Sequence, residues 1–410
     1  MEMNETVGKI LSYGDCCDHC LGRFFGKRGH GLTNDERGRA VRIARAVAEN
    51  LPFEPFTGTC WVCGNFFETI TVWAERAVAS TEGIEYSTFL VGCRVPPLIS
   101  ESEEMVWSDL SLADPEPIKS EVNREVGKAV SAITGKEVDF KKPDIVLLLD
   151  LARDDVDVQV SPLFFYGRYQ KHERGIPQTH WDCRACHGAG CEKCNFTGKQ
   201  YQDSVEELIG RPVIDLFSAE NAVLHGAGRE DIDARMIGTG RPFILEVVAP
   251  KRRTVDLASV EESINRSAAG RVAVIRMRWS ERSEVETLKS TKAHKKYRIL
   301  VEVDGALSAD EFANALKTLQ GVTIYQRTPE RVAHRRADKV RERRVLDIGF
   351  VGEQDGRFVV EVLGEAGLYI KELVSGDQGR THPSLAEILQ RPAHVTSLDV
   401  VQVGGTKEGE

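Results

Sequence analysis

The segment 228–242 combines residue types that catalysis on a charged substrate requires. It holds six charged side chains, three glycines and one proline. It has no helical apolar stripe, so we predict an ordered loop between regular elements. Asp231 and Asp233 lie beside Arg229 and Arg235. Arginine binds phosphate and keeps a nearby carboxylate ionised, so the loop suits an acid that acts on an anionic substrate. A surface turn with incidental charges is the alternative.

Four cysteines within twelve residues indicate a metal site. Their pattern, C-x2-C-x4-C-x2-C, leaves no room for a hydrophobic core between them. Paired C-x2-C turns suit a closed tetrahedral zinc site, although the spacing alone also admits an iron–sulfur cluster. Four thiolates leave no open coordination position, so we expect structural zinc. The cysteines are Cys183, Cys186, Cys191 and Cys194.

Two further C-x2-C pairs near the N-terminus can form a second tetrahedral zinc site. About 40 residues separate the pairs, which is longer than in compact zinc fingers. Such a site would staple the N-terminal segment onto the chain that follows. Two unrelated pairs of buried cysteines are the alternative. The second site would use Cys17, Cys20, Cys60 and Cys63.

The composition predicts a cytoplasmic protein of two or three domains. The chain has 410 residues and no apolar run near the roughly 20 residues that span a membrane. Its first residues include acids and lack the apolar core of a secretory signal. In a reducing compartment, ten cysteines favour metal sites over a disulfide framework.

Charge is distributed unevenly along the chain. The net charge of −9 argues weakly against nonspecific nucleic-acid binding. The segment 327–344, however, carries eight Lys and Arg residues against three acids. This local excess predicts phosphate contacts on one face; a solvated helical face that pairs with its own acids is the alternative. The aromatic and basic segment 162–171 suits base stacking and phosphate contact, or is a strand at a domain edge.

Hydrophobic periodicity predicts the elements that must position these residues. A helix over 118–132 followed by strands over 144–150 and 156–160 forms a small α/β module. The C-terminal half alternates several strands with two or three helices, without a βαβ rhythm. We therefore expect an α+β fold with a large mixed, mostly antiparallel sheet and flanking helices.

Several common chemistries lack their motifs. The sequence contains no G-x-x-x-x-G-K-[ST] phosphate loop, no Rossmann fingerprint, no G-x-S-x-G elbow and no H-E-x-x-H helix. What remains is one acid-bearing loop, arginine-rich strands and zinc-stapled accessory elements. That combination suits an enzyme that acts on RNA without a nucleotide or redox cofactor.

Four segments, 228–242, 294–298, 326–344 and 367–381, are similar to archaeal tRNA pseudouridine synthases that act on the T-loop at positions 54 and 55. The region before Cys183 resembles the accessory region of that family, in which a THUMP-type RNA-binding module lies behind a zinc site. The resemblance implies tRNA as partner, and neither a membrane nor an obligate protein partner is inferred. The implied domains are a zinc-binding segment (1–66), a THUMP-like module (67–172), a cysteine knuckle linker (173–203), a catalytic domain (204–404) and a disordered tail (405–410).

The resemblance also implies roles for particular residues. Arg229-Glu230-Asp231 matches the Arg-x-Asp element that carries the catalytic aspartate of the family, so Asp231 is the expected nucleophile and Asp233 is its competitor. The active-site tyrosine of the family starts a strand after a basic residue, which fits Tyr297. A ring there can stack on the target uracil.

The segment 369–373 resembles the Tyr-Ile-Arg-x-Leu element of bacterial T-loop pseudouridine synthases. In that element the cation pairs with the aspartate and the leucine packs under the site, which implies these roles for Lys371 and Leu373. Lysine stands where the bacterial element has arginine, so the bidentate geometry of the pair is lost. Residues expected to contact the RNA are Tyr297, Tyr369, Arg229, Arg327, Arg331, Arg335, Arg336 and Arg341.

Two other functions are the alternatives to a pseudouridine synthase. A noncatalytic, zinc-stapled tRNA-binding protein would use the loop carboxylates only to order the neighbouring arginines. A THUMP-bearing sulfur or methyl transferase would need an adenylate-binding loop or a glycine-rich cofactor loop, and the sequence has neither.

Overall fold

The structure, a computed structural model, describes residues 3–404, apart from the side chains of His334 and Arg335. The predicted disordered tail, 405–410, lies outside the described residues. The chain divides into two compact units, Met1–Ser161 and Pro162–Glu410. We call them the N-terminal and the C-terminal unit. Among the described residues, none of the helices has the length and apolarity that crossing a membrane requires.

The N-terminal unit packs helices against a four-stranded sheet in the order β2-β1-β3-β4. β1 is parallel to β2 and β3, and β3 and β4 form an antiparallel hairpin. The helices are α1 (Met3–Tyr13), α2 (Asp18–Arg23), α3 (Asn34–Ala48), α4 (Ile70–Ala79), α5 (Pro97–Asp109) and α6 (Ile118–Thr134). The strands are β1 (Thr88–Arg94), β2 (Glu137–Val138), β3 (Ile145–Asp150) and β4 (Asp155–Val160). The predicted α/β module corresponds to α6, β3 and β4.

The C-terminal unit contains a ten-stranded sheet, in which β6 pairs with β7 beside the path β13-β10-β11-β12-β9-β14-β7-β5-β8. Its helices are α7 (Val205–Phe217), α8 (Leu257–Ser267), α9 (Arg282–Ser290), α10 (Ala309–Lys317), α11 (Ile370–Ser375) and α12 (Leu385–Leu389). Its strands are β5 (Leu163–Lys171), β6 (Asn221–Gly226), β7 (Arg235–Val248), β8 (Val272–Ser280), β9 (Lys295–Val303), β10 (Thr323–Arg327), β11 (Val340–Gln354), β12 (Arg357–Gly364), β13 (Thr381–His382) and β14 (Ala393–Val403). The pair β14–β7 is parallel and the other described pairs are antiparallel. The predicted α+β class with a mixed, mostly antiparallel sheet is confirmed.

Strand β5 belongs to a different part of the fold from the one that we expected. The sequence analysis included it in the THUMP-like module, but it pairs with β7 and β8 inside the large sheet. Tyr169 and Lys171 are fully buried there, so these two side chains are not exposed for RNA contact. The segment is therefore a structural strand of the C-terminal unit.

The predicted loop 228–242 is shorter than expected, because β7 begins at Arg235 and occupies its second half. The strand begins irregularly. Gly238 has a φ of +63°, and a Cβ added there would lie 2.0 Å from the carbonyl oxygen of Val401. Glycine permits this close approach of β7 to β14. The acid-bearing residues 228–234 remain a loop that joins β6 to β7.

Candidate active site and metal centres

The loop 228–234 borders a cavity of about 720 Å³ in the C-terminal unit. The start of β9, the first turn of α11, the 3-10 helix Glu330–Arg335, the segment 177–181 and part of β14 also contribute to the lining. The structure thereby brings together residues that are far apart in the chain. The charged and tyrosine side chains in the lining are Arg229, Glu230, Asp231, Asp233, Arg241, Lys295, Tyr297, Arg331, Arg336, Tyr369 and Lys371.

Asp231 lies between two cations. One of its carboxylate oxygens accepts a hydrogen bond of 3.0 Å from Arg331, and the other lies 3.7 Å from the Lys371 ammonium. Lys371 is closer to Asp233, at 2.6 Å. The side chain of Asp231 is 31% exposed and that of Asp233 is 65% exposed. Asp231 is therefore the more enclosed of the two carboxylates. Lys371, which was predicted to pair with Asp231, contacts both acids.

Arg331 binds a second acid, Glu372, besides Asp231. Its Nε donates to Glu372 at 2.6 Å, while another guanidinium nitrogen reaches Asp231. The Glu372 side chain is 5% exposed, so this carboxylate is fixed within α11. A charge-assisted pair of this kind orients the guanidinium. Arg331 thus forms a bridge between α11 and the acid-bearing loop.

Glu230 is buried beneath the loop rather than directed into solvent. Its carboxylate is 1% exposed and lies 2.9 Å from Arg241, and the Tyr169 hydroxyl, which donates to it, lies 2.9 and 2.8 Å from its two oxygens. Lys171 lies 3.9 Å from Glu230 and donates to the backbone carbonyl oxygens of Asp231 and Ile232. These contacts fix the backbone of the loop, so the position of Asp231 depends on buried residues of β5 and β7.

Tyr297 and Lys295 project from the same face of β9 into the cavity, because side chains two residues apart share a face of a strand. Burial raises the pKa of the Tyr297 hydroxyl to about 12, so this group stays protonated at neutral pH. Burial, together with the charge of Arg241, lowers the pKa of Lys295 to about 8. The strand therefore presents a neutral aromatic ring and an ammonium next to the acids.

Tyr369 also lines the cavity, and hydrogen bonds to its backbone fix its position. Gln326 forms two hydrogen bonds with the backbone of Tyr369, at 2.8 and 2.9 Å. The Tyr369 hydroxyl accepts a hydrogen bond of 3.1 Å from Arg336. The cavity lining thus contains a second aromatic ring besides Tyr297, with Arg336 bound to its hydroxyl.

Other residues of the predicted RNA surface lie away from the cavity lining. Arg327 is paired with Asp338 at 2.6 Å, and Arg341 donates to Thr328 at 2.7 Å. The side chain of Arg335 is outside the described part of the chain. The segment 327–344 forms the end of β10, a 3-10 helix and the start of β11, so it does not present the helical face that we considered as an alternative.

Two groups of four cysteines could each hold a metal ion. Within each group the sulfur atoms lie within 4.8 Å of one another. A tetrahedral zinc–thiolate site requires sulfurs about 3.8 Å apart. Representative separations are 3.7 Å between Cys17 and Cys63, and 3.8 Å between Cys186 and Cys194. The groups are Cys17, Cys20, Cys60 and Cys63, and Cys183, Cys186, Cys191 and Cys194.

Comparison with known proteins identifies the family. Residues 164–404 match the family model described as Pus10, C-terminal, and residues 73–150 match the Pus10 THUMP domain, archaeal. A tRNA pseudouridine synthase Pus10 of Halorubrum lacusprofundi is 45% identical, over 100% of this chain and 98% of the relative. The chain belongs to the Pus10 family. The expected resemblance is thereby confirmed, together with the expected enzyme class, an isomerase.

Other members of the Pus10 family show the same full-length likeness. The tRNA pseudouridine synthase Pus10 of Methanothrix thermoacetophila is 44% identical over 98% of this chain and 95% of its own. The tRNA pseudouridine synthase Pus10 of Methanothermobacter marburgensis is 45% identical over 98% of this chain and 99% of its own. A chain of a Cbf5–Nop10–Gar1 crystal structure is a remote neighbour, with 18% identity, a TM-score of 0.33, and coverage of 50% of this chain and 46% of its own. Family membership disfavours the noncatalytic binding protein.

The site around this cavity includes residues that the sequence analysis missed. Leu373 is buried in the core and does not line the cavity, whereas Leu398 does. Leu398 lies on β14, which no motif singled out. Glu372, which lies outside the lining but binds Arg331, was only the variable residue of its motif. Lys295 had a detectable signal, because it precedes Tyr297 by one strand period.

Proposed function

We propose that this chain isomerises uridine to pseudouridine in the T-loop of tRNA, at position 54, position 55 or both, with Asp231 as the nucleophile. One observation supports this most strongly: Asp231 lies between Arg331 and Lys371 at a cavity that also contains the ring of Tyr297. A Pus10 enzyme needs an ionised carboxylate next to the sugar and a platform for the base, and this cavity offers both.

The reaction requires no redox step and no phosphate energy. The Asp231 carboxylate attacks C1′, and the N1–C1′ electron pair leaves with the uracil. The freed uracil rotates, its C5 bonds to C1′, and the carboxylate is released. One proton leaves C5 and one is added at N1, so the product is an isomer of the substrate. Each step uses only the chain and the RNA, in agreement with the absence of nucleotide-cofactor motifs from the sequence.

The neighbours of Asp231 have distinct parts in this proposal. Arg331 and Lys371 hold the carboxylate in position through a hydrogen bond and opposite charge. Tyr297 stacks on the uracil once the nucleotide has left its stack in the RNA. Glu372 acts through Arg331, which makes it a positioning residue.

The site of modification is tested with tRNA transcripts that carry tritium at uracil C5. Pseudouridine formation at a position releases its tritium to water. We expect release from a wild-type transcript and its loss when both T-loop uridines are replaced by cytidine. Transcripts with only one replacement decide between position 54, position 55 and both. Undiminished release from the doubly replaced transcript would contradict the T-loop assignment.

We also propose that Arg336, Arg341 and their neighbours hold phosphates around the T-loop. Each phosphate contact releases counterions, so removing contacts weakens tRNA binding and flattens its salt dependence. An Arg336→Ala/Arg341→Ala variant should lower the slope of log affinity against log salt by about 2. Arg278→Ala/Arg282→Ala, which removes two arginines of the same unit that pair with Glu284 and Glu246, is the matched control. Equal slopes for wild type and the first variant would remove the phosphate assignment.

The four-cysteine groups are proposed as structural zinc sites, one in the zinc-binding segment 1–66 and one in the linker 173–203. We expect two zinc ions per purified chain by elemental mass spectrometry, and one in a Cys191→Ser variant, because three thiolates bind far more weakly. Cys93→Ser is the control, since Cys93 is buried outside both groups. Iron in place of zinc, or an unchanged zinc content in Cys191→Ser, would overturn this assignment.

A further inference from the structure

Lys295 occupies a position in the cavity that the proposed mechanism leaves unused. It begins β9 and lies two residues before Tyr297, on the same face of the strand. Its register partners on the neighbouring strands are Gly364 and Val403, so no acid stands beside it in the sheet. The next residue, Lys296, projects from the other face and pairs with an acid of β12 at 2.7 Å.

The Lys295 ammonium has no hydrogen-bond or ion-pair partner among the residues that the structure describes. Glu230, the acid whose charge acts on Lys295, is already bound by Arg241 and by the Tyr169 hydroxyl. Burial and the repulsion by Arg241 lower the pKa of Lys295 to about 8. A partly buried cation without a partner is costly, and an anion that enters the cavity would remove this cost. The arrangement thus favours a ligand that is negative, or becomes negative during the reaction.

We propose that the Lys295 ammonium binds the uracil as it leaves C1′ and stabilises the negative charge that develops on it. This inference rests on the proposed function. When the N1–C1′ bond breaks, its electron pair goes to the uracil and spreads over N1 and the two carbonyl oxygens. The ammonium donates a hydrogen bond to the base during this step and keeps its own proton. When C5 bonds to C1′ the charge disappears, and Lys295 is left as it began.

The position of Lys295 favours the base over a backbone phosphate as its partner. Tyr297 is the proposed platform for the uracil, and Lys295 lies one strand period away on the same face. A fixed cation at the point where charge develops accelerates bond cleavage more than it strengthens binding of the neutral substrate. The expected defect of a variant therefore lies in the rate of the chemical step.

The experiment compares three variants of the full chain under single-turnover conditions, with tritium release from a tRNA transcript as readout. Lys295→Met should lower the rate about 100-fold and change the tRNA dissociation constant less than threefold. Lys295→Arg, which keeps the charge, should recover at least a tenth of the wild-type rate. Lys296→Met, the matched control on the other face of the strand, should retain the wild-type rate. Circular dichroism and tRNA binding verify that each variant is folded.

The pH dependence separates a cation from a proton acceptor. A cationic Lys295 is present below its pKa and is lost above it, so the wild-type rate should fall as the pH rises through about 8. Lys295→Arg should show no such fall, because guanidinium stays protonated. The other charged groups that line the cavity are Arg229, Glu230, Asp231, Asp233, Arg241, Arg331, Arg336 and Lys371.

Each contrary outcome has a clear meaning. A wild-type rate that rises through about pH 8, and loses this rise in Lys295→Met, would make Lys295 a proton acceptor and overturn the proposal. A weaker dissociation constant with an unchanged rate in Lys295→Met would assign it to a phosphate and overturn it as well. An undiminished rate in Asp231→Asn would instead remove the proposed nucleophile, and this outcome is independent of Lys295.

Discussion

Replacement of Asp231 by asparagine should abolish tritium release from C5, with a fall of at least about 10⁴-fold in the single-turnover rate. The amide has nearly the shape of the carboxylate, so the variant should fold and bind tRNA, but it cannot attack C1′. Arg331 and Lys371 currently contact an anion at 3.0 and 3.7 Å, and the variant would leave them with a neutral partner. The loss should therefore appear in the rate and hardly in the dissociation constant.

Asp233→Asn is the control that separates two carboxylates only two residues apart. Although burial raises it, the hydrogen bond and charge of Lys371 lower the pKa of Asp233. This acid is thus ionised at neutral pH, but it is 65% exposed and accessible to water. We expect a loss of less than about tenfold, caused by the displacement of Lys371. A large loss in Asp233→Asn together with an active Asp231→Asn would exchange the two assignments.

The cations around Asp231 show how far the sequence predicts a site of this kind. Local motifs singled out Asp231, Tyr297 and Lys371, and the structure places all three at one cavity. The pairing of Arg331 with Asp231, 100 positions away in the chain, was not predicted, because no motif linked these two residues. An arginine within a basic segment has the same local pattern whether it binds a phosphate or a carboxylate. Only the fold decides between these partners.

Elements were predicted well where the hydrophobic pattern was regular and poorly where it was mixed. In the segment 66–73, residues at helical spacing overlap with β-branched residues that favour a strand, and the structure there forms a 3-10 helix (Phe66–Thr69) and the start of α4 (Ile70–Ala79). Burial of Trp73, Ala74 and Ala77 on one helical face overrides the strand preference of the β-branched residues. The burial of one helical face thus predicts the secondary structure of this segment better than the local propensity of its residues.

Strand β5 shows a different limit. Its aromatic and basic residues suggested RNA contact, yet Tyr169 and Lys171 are buried because Glu230 lies beneath the loop and needs partners. A buried carboxylate requires cations and hydrogen-bond donors, and β5 and β7 supply them. The composition of a strand cannot reveal that its polar residues satisfy an acid that follows Tyr169 by 61 positions in the chain.

Removal of that acid should be among the most destabilising single changes in the C-terminal unit. Glu230→Ala leaves Arg241 and Lys171 as buried cations without their carboxylate, which costs about 3–5 kcal/mol for a broken buried pair. Calorimetric unfolding of the full chain should show the transition of this unit lowered by roughly 10 °C. Glu262→Ala, which breaks a surface pair with Arg266, should move it by no more than about 3 °C.

A double variant identifies the origin of this loss. Glu230→Met/Arg241→Met removes both charges and fills much of the vacated space, so it should be more stable than Glu230→Ala alone. If the double variant is instead the less stable of the two, packing rather than the unpaired cation causes the loss. The double variant also removes the carboxylate beside Lys171, which donates to the backbone oxygens of Asp231 and Ile232. Catalysis should therefore stay impaired even where stability returns. The buried acid thus contributes twice, to the stability of the unit and to the position of the proposed nucleophile.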